Sequence, residues 1–194
     1  MIDLAKLKIA NAARWSAMQA DPALTTAFAR VAVRLVAAAA KARYQAVSAQ
    51  TGVPWFVVAV IHEREASQSW AANLAQGDPW NAVSVHVPKG QGPFASWEAA
   101  AVNALTRSPP YAAHWADWSS GGTLTLLESY NGLGYAQRGV PSPYLWAGTD
   151  QYVCGKYVAD GHYDPHAVDH QLGCAALLWQ MAIADKSVTL GGLT

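Results

Sequence analysis

Residues Trp55-Phe-Val-Val-Ala-Val-Ile61 form an unbroken apolar run that begins just after Gly52-Val-Pro54 and ends directly before His62-Glu-Arg-Glu65. Gly52 is a natural stop for a preceding helix, and Pro54 suits a first helical position, so the run is expected to be a helix starting there. A helix that is apolar on nearly every face has to be enclosed by other elements. With 194 residues the chain is long enough to enclose it in one well-buried domain, or in one domain formed from two lobes.

The surrounding sequence predicts mostly helices. Hydrophobic residues make up 52% of the chain and charged residues 13%, a balance that excludes disorder. From Leu24 through Val47, apolar residues recur at three- to four-residue spacing among good helix formers, which predicts one long helix or two. Ser96 is placed to cap a helix through Trp97, Glu98 and Ala99 to Leu105; Pro109 and Pro110 interrupt the next connection, and a short helix is predicted over Leu124 to Tyr130. After Ser67 the chain turns to Gly, Pro, Asn and Asp with short alternations, notably Asn81 to Pro88, and a small hairpin or irregular loop is expected there. The stretch from Asn131 to Tyr163, rich in Gly, Tyr, Trp and Pro, predicts a long structured loop with some short helix, of the kind that carries ligand contacts. Asp164-Pro165 predicts the start of a last helix whose apolar positions run from Val168 through Ala182. The expected fold is therefore mainly α with a small irregular or β element: a single domain over 1–194, with N-terminal helices in 1–50 and a core over 52–186.

Several classes of function are disfavoured at once. The formal net charge is zero, so no basic face is available for nucleic acid or anionic lipid. The apolar stretch Val31 to Ala40 contains Arg34 and is followed by Lys41 and Arg43, so no membrane anchor is expected, and the first residues do not read as a secretory signal. Cys154 and Cys174 are the only cysteines and define no disulfide framework. There is no Gly-x-Ser-x-Gly elbow, P-loop or dinucleotide fingerprint. His166, His170 and Cys174 are spaced to share a face of the last predicted helix, but Pro165 leaves His162 outside it, and neither a metal nor an organic cofactor is expected.

The chemistry-bearing residues lie where the apolar run ends. An acid there is disfavoured as a charged group both by burial and by the partial negative charge of a helix C-terminus, which suits it to donate a proton. Glu63 and Glu65 are about 200° apart around a helix, so only one can face a given cleft, and periodicity does not decide between them.

The run Gly52-Val-Pro-Trp-Phe-Val-Val-Ala-Val-Ile-His-Glu-Arg-Glu65-Ala-Ser resembles the catalytic helix of goose-type lysozymes and soluble lytic transglycosylases, in which an apolar helix ends in a Glu commonly preceded by Arg and followed by Ser. Arg64-Glu65 matches, whereas Ala66 stands in the serine position, with Ser67 one place later. About sixty-five residues downstream, Ser129-Tyr130-Asn131-Gly132-Leu-Gly134 resembles the Tyr-Asn-Gly motif of the same families. Asn73 to Trp80 and Pro141 to Thr149 are similar to segments of phage-type endolysins and bacterial wall hydrolases. The first fifty residues take no part in the resemblance.

The resemblance implies a lysozyme-like fold with a substrate cleft and cleavage of the glycan strands of peptidoglycan, acting at the bacterial cell wall as a monomer. It makes Glu65 the general acid, and Tyr130 and Asn131 the residues that position the sugar. Asp78, in a Gly-Asp-Pro turn, is the candidate base if water is the nucleophile; an ordinary turn residue is the alternative, and Asp150 is a weaker candidate. Gln91, Tyr144 and Trp146 are further candidate substrate contacts. The nine tryptophans and eight tyrosines, Trp70, Trp80, Tyr135 and Tyr152 among them, favour a polymer groove as a group, although any single ring is as readily a core residue. Cleavage of chitin or chitosan, and a non-catalytic glycan-binding wall protein, are the competing expectations.

Overall fold

The computed structural model describes residues 2–75, 77–86 and 88–190. In chain order the helices are α1 (Leu4–Ala17), α2 (Thr25–Val36), α3 (Ala38–Thr51), α4 (Trp55–Ala66), α5 (Trp97–Arg107), α6 (Ser120–Asn131), α7 (Gly134–Arg138), α8 (Pro143–Trp146) and α9 (Cys174–Ala184). Strands β1 (Lys156–Ala159) and β2 (His162–Asp164) form a small sheet ahead of α9. The protein is thus mainly α with a two-stranded sheet. No single helix among the described residues is long and apolar enough to cross a membrane.

The chain divides into two compact units, a contiguous one over Val33–Ala116 and a discontinuous one built from Met1–Ala32 and Asp117–Thr194. In the contiguous unit α4 is the hub. From Trp55 through His62 every residue of this helix is buried, as its composition requires, and α3 packs on both α4 and α5. Gly52 closes α3 in the left-handed conformation, and the Ser96 hydroxyl caps α5 by accepting from the Ala99 amide, both as expected from sequence. The periodic segment from Leu24 to Val47 is two helices, interrupted at Ala37.

In the discontinuous unit α1 packs against α6, and α8 packs on both α6 and α9. The α1–α6 contact is close: a Cβ on Gly121 would lie 2.6 Å from the Lys8 carbonyl oxygen. Helix α6 is longer than predicted because Ser119, whose hydroxyl accepts from the Gly122 amide, caps it well before Leu124.

Of the hairpin or irregular loop expected over Asn81 to Pro88, the described residues show the irregular loop, and the sheet lies at Lys156–Asp164, paired Lys156 to Asp164 and Tyr157 to Tyr163. One expectation is corrected here. The last helix starts at Cys174, not at Asp164-Pro165, because the intervening residues are held out of a helix by other bonds. The Asp164 carboxylate accepts from the His166 amide, Gly155 N–H donates to Ala167 O, and Asp169 N–H donates to the Tyr152 hydroxyl. His166 and His170 are consequently exposed loop residues and share no helix face with Cys174. Cys154 is exposed and Cys174 is buried, and no disulfide joins them among the described residues.

Candidate functional site

Of the residues singled out in the sequence, Glu65, Asp78 and Gln91 belong to the contiguous unit, and Tyr130, Asn131, Tyr144 and Trp146 to the discontinuous one.

The end of α4 is fixed by a chain of polar groups within the aromatic core. Gln68 Nε2 donates to the Tyr44 hydroxyl at 3.0 Å, and that hydroxyl lies 3.0 Å from His62 Nδ1. His62 Nε2 lies 3.0 Å from the Ser69 carbonyl oxygen, which requires the proton on Nε2 and leaves Nδ1 to accept from Tyr44. Burial lowers the His62 pKa to about 4, so the ring is neutral at physiological pH. Trp70 and Trp97 pack on the same imidazole, and the Arg43 guanidinium lies 3.9 Å from the Trp70 ring centre while pairing with Glu98. The helix then ends abruptly. Ser67 and Gln68 both take left-handed φ, 50° and 58°, an arrangement that ordinary side chains adopt only when their surroundings hold it. Gln68 is so held, being buried and bonded to Tyr44.

The two glutamates of this helix end differ. Glu63 Oε2 is 2.6 Å from Arg34 Nη2, an ion pair that commits this carboxylate to the end of α2. Glu65 is half-buried on the last turn, and the Gly77-Asp78 turn reaches it: a Cβ on Gly77 would stand 3.7 Å from the Glu65 carbonyl oxygen. The structure thus brings the Gly-Asp-Pro turn to the end of α4, as the order of motifs suggested.

The role expected of Asp78 is corrected. Its carboxylate is buried; Oδ2 accepts from the amides of Val85 and His86, at 2.9 and 3.0 Å, and Oδ1 accepts from His86 Nδ1 at 2.7 Å. The His86 amide and imidazole, followed by the Val85 amide, hold the Asp78 pKa below the ordinary carboxylate value. An acid occupied in this way organises its loop and is a poor base for activating water. Gln91 contributes through its backbone: its amide donates to the Ser84 hydroxyl, and its carbonyl accepts from the Ser84 amide. Asp150 is likewise occupied, its carboxylate accepting from the distant Gln19 amide at 2.8 Å.

In the discontinuous unit, Tyr130 is half-buried near the end of α6 and Asn131, its last residue, is exposed. Tyr144 and Trp146 are 3% and 1% exposed, so the expectation that they offer faces for stacking on sugar is corrected. Other rings of the Tyr-rich segment are also structural. The Tyr135 hydroxyl accepts from the Tyr157 amide, Tyr135, Tyr157 and Tyr163 pack edge to face, and the Tyr152 hydroxyl donates to Gly155 O.

The residue that sequence reasoning passed over is Glu128 on α6. It is 2% exposed, accepts from Asn11 Nδ2 at 3.1 Å, and burial raises its pKa. The same signal that marked Glu65, an acid closing a stretch of apolar helix, is present at Leu124-Thr-Leu-Leu-Glu128 and would have found it.

Comparison of the chain with protein-family models, with curated proteins and with solved structures yields no match.

Proposed function

We propose that this protein cleaves peptidoglycan glycan strands, with Glu65 as the acid that protonates the oxygen between N-acetylmuramic acid and N-acetylglucosamine. The observation that carries the reading is the setting of Glu65: a half-buried residue on the last turn of a helix whose body is wholly buried, with the Gly77-Asp78 turn against its backbone carbonyl. The negative end of a helix dipole disfavours a charged acid there.

Because Asp78 is occupied within its own loop, the reading that suits the site is a one-carboxylate reaction of the lytic transglycosylase type. Glu65 gives its proton to the leaving oxygen as the bond to the muramic C1 breaks. The resulting carboxylate then takes the proton of the C6 hydroxyl of the same sugar as that oxygen bonds to C1. The product is an anhydro sugar one water lighter than the hydrolytic product, and the acid is regenerated.

The test is turbidity loss and mass analysis of fragments released from purified sacculi by wild type, Glu65→Gln and Glu63→Gln. Expected are anhydro-terminated fragments from wild type, a loss of at least ~100-fold in Glu65→Gln, and activity retained in Glu63→Gln. Equal losses in the two variants, or no release by wild type, would overturn the proposal. Release of hydrated ends alone would overturn the one-carboxylate route. Activity on chitin in place of sacculi would reassign the polymer.

A further inference from the structure

Within the discontinuous unit a cavity of about 150 Å³ opens between α1, α6 and the turn from Gly139 to Ser142. That is an order of magnitude more than the ~10–15 Å³ needed by one water, so it has room for a group of several heavy atoms. Its polar lining is made by Asn11, Arg14, Glu128 and Ser142, and Val140 and Pro141 supply apolar wall.

Two of the polar groups have hydrogen-bonding capacity that the protein does not fill. The Ser142 hydroxyl is 0% exposed and has no partner, a state that folded proteins avoid unless a missing group supplies the bond. The Glu128 side chain, equally buried, has one hydrogen bond among the described residues, from Asn11, although a carboxyl can make several. Asn11 is already spent on Glu128 and Thr125, its amide nitrogen lying 3.3 Å from Thr125 Oγ1. Arg14, held at 3.4 Å from Gln151 Oε1, puts a cation at the wall facing the acid.

We infer that this cavity is a binding site for a small uncharged amide, of the size and kind of an N-acetyl group. An anion is opposed by Glu128 and a cation by Arg14, so the pair selects a neutral ligand that both donates and accepts. A secondary amide does both. Its N–H meets Glu128, its carbonyl oxygen takes the hydroxyl of Ser142 with a small shift of that side chain, and its methyl group lies against Val140 and Pro141. The cavity is separate from Glu65 and takes no part in the bond cleavage proposed above. Only the further step, that the amide is the acetamido arm of a wall sugar, rests on that proposal.

The test is a titration of the full-length protein followed by the indole N–H resonance of Trp146, which lines the cavity, with N-methylacetamide and N-acetylglucosamine as probes and glucosamine and acetate as controls. Saturable shifts with both amides, absent with both controls and weakened at least tenfold in Ser142→Ala, are expected. Ser142→Ala should also raise the melting temperature, since it deletes an unsatisfied hydroxyl, which separates lost binding from lost folding. No saturable shift with either amide, an equal response to acetate or glucosamine, or undiminished binding by Ser142→Ala would overturn the inference. Amide binding without cleavage of sacculi would leave the pocket standing and remove the proposed function; cleavage without amide binding would do the reverse.

Discussion

Two buried ionisable residues link stability to pH with opposite sign. The His62 pKa falls from 6.5 in the unfolded chain to about 4 in the folded one. Above 6.5 both states carry the neutral ring and stability is unaffected by this group; as pH falls toward 4 only the unfolded chain takes up the proton, and stability is lost. A displacement of this size corresponds to about 3 kcal/mol at most. Urea denaturation at pH 7 and pH 4.5 should therefore show acid destabilisation in wild type that is reduced in His62→Gln. For Glu128 the folded pKa lies above the ordinary 4.5. Below that value both states hold the neutral acid; as pH rises the unfolded chain ionises first, so this group's contribution declines. Glu128→Gln is isosteric and uncharged and should gain stability over wild type at pH 7 but not at pH 4, measured in the same way.

Among the elements, those fixed by local chemistry were legible and those fixed by distant bonds were not. Gly52 and Pro54 bracket the start of α4, and Ser96 the start of α5, because a cap needs only its own few residues. The start of α9 is misread from sequence because Asp-Pro is an equally good turn, and what decides is the bonds that residues 167 and 169 make to residues 155 and 152. The hairpin does carry a local signal, Asp160-Gly161 between Lys156-Tyr-Val-Ala159 and His162-Tyr-Asp164, which the richness of the whole segment in Gly and Pro obscures. The place of Glu65 on the last turn of α4 was readable from the apolar run, whereas the occupation of Asp78 depends on His86 folding back eight residues later. Loss of that anchor is measurable: Asp78→Ala should speed hydrogen exchange at the Val85 and His86 amides, while the mass of any wall fragments released stays the same. At the α1–α6 contact, Gly121→Ala should lower the melting temperature, since its Cβ would meet the Lys8 backbone and overpacking of this kind costs about 1–3 kcal/mol.

At the level of the whole molecule, mainly-α architecture followed from composition, but its division did not. The sequence suggested N-terminal helices followed by a core; instead the first 32 residues join the last 78 in one compact unit, and residues 33–116 make up the other. The composition of α1 does not announce this, since only Asn11 and Trp15 of the helix are buried, and Asn11 bonds Thr125 and Glu128 of α6. Deleting residues 1–32 should therefore do more than trim a terminus. It removes the helix that covers Glu128 and Gly121, and the cooperative melting of the discontinuous unit, followed by circular dichroism, should be lost.

The separation of Asn11 from Glu128, 117 residues along the chain, also bears on synthesis. At ribosomal rates of ~5–20 residues per second, the opening helix waits roughly ten seconds for its partner to emerge, while the contiguous unit is delivered whole in the interval. Throughout that interval the first 32 residues are without the segment that completes their unit.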